Sequence, residues 1–145
     1  MSKGILIILI VCFVLAAIIL AYSRDLLMDR IELRKTRIED KFRIILGEIN
    51  FSLMNGKGTI LPHSQPRTVN MCDDHVMISL WYGTGHLTIT MVYEYEGMET
   101  VFERTYGNVR DITDDDQRNI ARNYFIPYAR EQVEQHRMNV SLSRI

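Results

Sequence analysis

The chain has 145 residues, a formal net charge of −1 and two cysteines, and its length allows one modest domain. All 18 acidic residues and 16 of the 17 basic ones follow Tyr22, where they are interleaved along the chain. This near balance argues against a nucleic-acid partner, which typically selects a concentrated basic face.

The N-terminal feature is an apolar run from Gly4 to Tyr22, 19 residues without a charge. At a rise of about 1.5 Å per residue, such a helix spans a hydrocarbon core of about 30 Å. Lipid forces the segment to be helical, because unpaired peptide groups are costly there. We therefore predict that residues 1–22 form an N-terminal tail and a transmembrane anchor. The alternative is a cleaved signal peptide ending near Ala21, although its apolar region is longer than usual.

The side of the membrane is predicted from the basic residues that flank the span. Only Lys3 precedes it, so the positive-inside rule favours a cytoplasmic domain. A short N-terminal tail before one span is also how an uncleaved signal anchor begins, and that would export the domain. The basic residues that follow within the next turns are Arg24, Arg30, Arg34, Lys35 and Arg37.

We predict a long juxtamembrane helix over residues 23–55, because this segment contains no proline and one glycine, Gly47. Apolar residues recur in it with the alternating spacing of three and four that marks a coiled-coil seam, and Lys35 is the single charge in that seam. The pattern predicts self-association of parallel helices. The seam consists of Met28, Ile31, Lys35, Ile38, Phe42, Ile45 and Ile49.

An amphipathic helix that covers its own sheet would produce almost the same stripe. The two periods drift apart by only about 20° per heptad. A combination of the two is a third alternative, in which the first half of the helix is free and the part from Phe42 to Leu53 packs on the domain.

Residues 56–145 predict a small α+β domain built on a three-stranded antiparallel meander. Alternating apolar and polar residues mark strands over residues 75–82, 87–95 and 98–106. Gly83-Thr84-Gly85 and Glu96-Gly97 are the expected hairpin turns. The long connection before them is expected either to be functional or to hide a short strand near residues 67–71.

The last element is a predicted C-terminal helix. Thr113 is its expected N-cap, followed by three aspartates at the positive end of the helix dipole. We expect Pro127 to kink or split this helix. Its expected buried residues are Ile120, Ala121, Tyr124, Phe125 and Tyr128.

The main candidates for chemistry lie in the connection between His63 and His75. Cys72, Asp73, Asp74 and the two histidines are residue types that bind metals, but their spacing matches no closed zinc motif. A Cys–His nucleophile pair lacks an identifiable third group. The sequence therefore assigns no catalytic residue, no cofactor and no metal ligand.

Taken together, these patterns predict a membrane-anchored, non-enzymatic interaction or assembly subunit. Its expected partners are the lipid bilayer and other protein subunits, including further copies of itself. The alternative is a membrane-anchored enzyme or metal-binding protein that uses the connection from His63 to His75.

Overall fold

A computed structural model describes residues 2–62 and 65–145. It shows an α+β fold, as the sequence predicts, with a long N-terminal helix, an antiparallel sheet and a C-terminal helical region. In chain order the elements are α1 (Lys3–Lys35), α2 (Ile38–Lys41), α3 (Arg43–Leu53), β1 (Thr59–Ile60), β2 (Thr68–Cys72), β3 (Val76–Gly83), β4 (His86–Tyr95), β5 (Met98–Tyr106), α4 (Asp114–Asn119), a π-helical segment (Ile120–Phe125) and α5 (Ile126–Leu142).

Helix α1 joins the apolar run and the first polar turns into one element of 33 residues. The helix expected over residues 23–55 is not continuous, because Thr36 and Arg37 adopt extended backbone conformations and Phe42 separates α2 from α3. No proline or glycine marks this break in the sequence. We attribute it to packing, since Ile38, the first residue of α2, and Phe42, which follows α2, are completely buried.

Among the described residues, five antiparallel strands form one sheet in the order β1-β2-β3-β4-β5, so the prediction of three strands is wrong. Strand β2 is the short strand expected near residues 67–71. Strand β1 has only two residues, too few to show any periodicity. The β3–β4 and β4–β5 hairpins close with two-residue turns, Thr84-Gly85 and Glu96-Gly97, whose φ angles lie between 52° and 79°.

The hydrophobic core lies between one face of the sheet and the helices α2, α3 and α5. Four residues of the predicted seam belong to this core and are fully buried in their own domain: Ile38, Phe42, Ile45 and Ile49. Met28 and Ile31, which precede them on α1, are 45% and 41% exposed. The structure therefore divides the seam between a buried half and an exposed half.

The C-terminal region is helical without interruption from Asp114 to Leu142, so Pro127 does not split it. Thr113 caps its start through a reciprocal pair of hydrogen bonds with Asp116. The π-helical segment ends just before Pro127, where a missing N–H would interrupt the α-helical pattern. The wider turn also rotates the buried face, which explains why Tyr124 is 58% exposed instead of buried.

Candidate functional site at the junction of helix α1 and the sheet

Three carboxylates lie on one face of α1, shortly after its apolar part. Asp25, Asp29 and Glu32 are spaced four and three residues apart, which places them on the same side of an α-helix. All three face the domain and contact basic or hydroxyl groups there. We call these acids and the domain groups that they contact the α1–domain junction.

Asp29 is the centre of the junction and is completely buried. Its Oδ1 accepts a hydrogen bond from Nη2 of Arg110 at 2.8 Å. Its Oδ2 accepts one from Nη1 of Arg67 at 3.0 Å and another from the backbone N–H of Thr84. Both oxygens are thus satisfied by donors from three separate parts of the domain.

The two other acids extend these contacts along the helix. Asp25 accepts from Nη1 of Arg110 at 3.2 Å. Glu32 accepts from the hydroxyl of Tyr82 at 2.7 Å and forms an ion pair with Nζ of Lys41. Lys41 also donates to the backbone carbonyl of Arg110, so the same cation binds both sides of the junction.

Gly83 provides the space that Arg67 needs. A Cβ atom at this position would lie 3.0 Å from Nη1 of Arg67 and 2.6 Å from Cη2 of Trp81. The guanidinium therefore reaches Asp29 past a bare backbone. Nothing in the sequence connects Gly83 with Asp29, because the two residues are far apart along the chain.

The electrostatics of the junction favour the charged forms of Asp29 and Arg110 and the neutral form of Tyr82. Burial alone would raise the pKa of Asp29, but the hydrogen bonds from Thr84, Arg67 and Arg110 outweigh it and hold this pKa below its usual value. The hydrogen bond to Asp29 raises the pKa of Arg110. Burial, reinforced by the Glu32 carboxylate, raises the pKa of Tyr82, so its hydroxyl remains a donor at neutral pH.

This arrangement is suited to holding α1 in place. Three carboxylates meet three cations, Arg67, Arg110 and Lys41, which leaves the junction without net charge. Burial of unpaired charge is costly, so rotation or withdrawal of α1 would leave charged groups without partners. The junction therefore couples the orientation of the domain to that of the helix.

The residues considered for metal binding or catalysis lie at the opposite end of the sheet. His63 is outside the described residues. Cys72 is followed by a turn in which Oδ1 of Asp73 accepts the backbone N–H groups of His75 and Val76 at 2.9 and 2.8 Å. Asp73 thus stabilises the β2–β3 turn. Within residues 2–62 and 65–145, no three His, Cys, Asp or Glu side chains are grouped as a metal site would require.

A cleft of about 540 Å³ lies beside this turn. Asp73, His75 and Glu96 contribute polar groups to its lining, and Tyr93 and Tyr95 contribute aromatic surface. The guanidinium of Arg137 lies over both tyrosine rings. The cleft does not bring together a nucleophile, a base and an orienting group.

Sequence reasoning missed the junction, although one signal was present. Asp25, Asp29 and Glu32 share the face of α1 that points away from Leu27 and Ile31. An acidic stripe on one helix face, next to a long apolar segment, indicates a basic counterpart. Its identity was not predictable, since Arg67 and Arg110 come from distant loops.

Comparison with known proteins gave no match among protein-family profiles, curated proteins or solved structures. Within the part of the chain that the structure describes, α1 alone is long and apolar enough to cross a membrane. None of its most apolar stretch is buried in the molecule.

Proposed function

We propose that the protein is a membrane-anchored, non-enzymatic interaction or assembly subunit. The apolar part of α1 serves as a single-pass anchor, and the domain is the part that meets protein partners. One observation carries this proposal: the apolar segment and the buried Asp29 belong to the same uninterrupted helix.

The mechanism is confinement with a fixed orientation. Asp25 lies three residues after Tyr22, which corresponds to about 4.5 Å along the helix axis. The domain would therefore sit directly at the headgroup layer, which extends about 5–8 Å beyond the hydrocarbon on each side. Anchoring raises the effective concentration of the domain near partners in the same membrane.

Membrane extraction tests the anchor. The full-length chain should stay in the membrane fraction through carbonate and high-salt washes, because about 19 apolar residues hold it in lipid. A matched chain that begins at Arg24 should be released into the soluble or peripheral fraction. Release of the intact full-length chain by carbonate would refute the proposal.

From the basic residues that flank the apolar segment, we propose that the domain lies on the cytoplasmic side. Five basic residues in positions 24–37, against Lys3 alone before the span, carry this expectation. Protease added to sealed, right-side-out cells should then leave the domain intact, while lysed cells should show its digestion. Digestion in sealed cells would instead indicate a signal anchor that exports the domain.

A further inference from the structure

Charge is sharply divided between the two sides of α1 beyond the apolar segment. The three acids of residues 23–35 all face the domain. The four bases are all exposed, and none forms an ion pair with the residues that the structure describes. These bases are Arg24, Arg30, Arg34 and Lys35.

An apolar ridge runs between these bases along the outward face. Leu27 is 57% exposed and Ile31 is 41% exposed, and at 100° per residue both align with Leu20 in the apolar segment. The same geometry places Arg24 and Lys35 on one side of the ridge, and Arg30 and Arg34 on the other. The ridge is thus continuous with the anchor and lies opposite the domain.

The length of the ridge indicates what covers it. Ile31 lies nine residues beyond Tyr22, about 13.5 Å along the helix axis. The headgroup layer extends only about 5–8 Å, so lipid next to an upright α1 would not reach Ile31. A ridge that runs along the helix axis instead fits a second helix packed side by side.

Charge then distinguishes between possible helices. A parallel second copy of α1 would bring its own four bases against these four, with like charges on both flanks. A helix with acidic flanks would pair with them. We propose that the outward face of α1 binds a helix of a different membrane protein, one with an apolar ridge flanked by Asp or Glu.

This inference rests on the proposed function. In its test, a charge-reversed copy of the full chain takes the place of the partner helix. One chain keeps the native charges, and a second carries Arg24→Glu, Arg30→Glu, Arg34→Glu and Lys35→Glu. Both carry Ile31→Cys, with Cys12→Ser and Cys72→Ser, and different affinity tags. They are purified in mild detergent, mixed in equal amounts and oxidised gently.

Random pairing would give mixed dimers at twice the yield of each homodimer. We expect mixed dimers to exceed either homodimer by about tenfold at low salt, because opposite charges attract and like charges repel at the flanks. The ratio of mixed dimers to each homodimer should fall towards two at about 1 M salt, where the Debye length is only about 3 Å. A control chain with Lys57→Glu and Arg130→Glu, both on the domain, should give the random ratio with the native chain.

Two results would overturn the inference. Native homodimers as abundant as mixed dimers would assign the face to a second copy of this chain. A lack of crosslinks in every mixture, with both chains giving the same thermal unfolding midpoint, would show that the ridge does not bind helices. Either result leaves the carbonate test of the anchor untouched, so failure of the inference is distinguishable from failure of the proposed function.

Discussion

Asp29 is a carboxylate that an amide cannot replace. All of its hydrogen-bond partners, Arg67, Arg110 and the N–H of Thr84, are donors. In Asp29→Asn one oxygen becomes an NH₂ group that faces donors, and the negative charge is lost. Breaking a buried ion pair in this way typically costs about 3–5 kcal/mol.

We therefore expect Asp29→Asn to lower the free energy of unfolding of the detergent-solubilised full-length chain by about 3 kcal/mol. Chemical denaturation followed by the fluorescence of Trp81, the single tryptophan, measures this change. The matched control is Asp74→Asn, at an exposed position in the β2–β3 turn. It should change stability by less than about 0.5 kcal/mol. Equal effects of the two substitutions would contradict the role given to Asp29.

The stabilisation from Asp29 should depend on pH in a defined direction. Its pKa is lowered in the folded protein, so its contribution is complete above the unfolded-state value of about 3.9 and is lost as the pH falls through the folded-state pKa. The difference in stability between the native chain and Asp29→Asn should be constant from about pH 7 to pH 5 and shrink at lower pH. Denaturation at a series of pH values measures it. A difference that grows on acidification would contradict the assignment.

At the same scale, the sequence reveals the acidic residues of the junction but not their partners. The spacing of Asp25, Asp29 and Glu32 is visible as a stripe on one helix face. Arg67 reaches that stripe only because Gly83 leaves room beside it. Such a contact depends on how separate loops meet in the folded chain, which local pattern does not encode.

Elements with a strong local signal were predicted well. The strands over residues 75–82, 87–95 and 98–106 correspond closely to β3, β4 and β5, because alternation and glycine-containing turns define them. Strand β1 was missed, and the break between α1 and α2 was not foreseen. Strand β1 has only two residues, too few to show alternation. The break before α2 arises from packing of Ile38 and Phe42, which overrides a sequence that is locally compatible with a longer helix.

Gly97 in the β4–β5 hairpin and Gly47 in α3 allow a matched pair of glycine substitutions. Gly97 has a φ of 79° and no atom within 4 Å of an added Cβ, so Gly97→Ala meets only backbone strain and should cost about 1 kcal/mol. Gly47 lies inside α3, also with open space around its added Cβ. Gly47→Ala should instead stabilise the protein by about 0.5–1 kcal/mol. Thermal unfolding of both variants should show midpoint shifts of opposite sign, and shifts of the same sign would contradict the turn assignment.

At the scale of the whole molecule, we expect the α1–domain junction to hold helix α1 and the domain as one rigid body. The sequence predicts an anchor, a helix and a domain as separate segments. It also predicts the stripe from Met28 to Ile49 as one possible continuous interface. In the structure, the buried half of that stripe fixes α2 and α3 in the domain, and the junction fixes α1. The division follows from the extended residues Thr36 and Arg37, which no periodicity indicates.

The distance between α1 and the sheet tests this rigidity most directly. Spin labels at Leu27→Cys and Val101→Cys, with Cys12→Ser and Cys72→Ser, occupy exposed positions on α1 and on β5. Electron–electron double resonance on the full-length chain in lipid nanodiscs should give one narrow distance distribution, and adding Asp29→Asn should broaden it. A broad distribution in the chain that retains Asp29, unchanged by the substitution, would contradict a domain held in fixed orientation on its membrane helix.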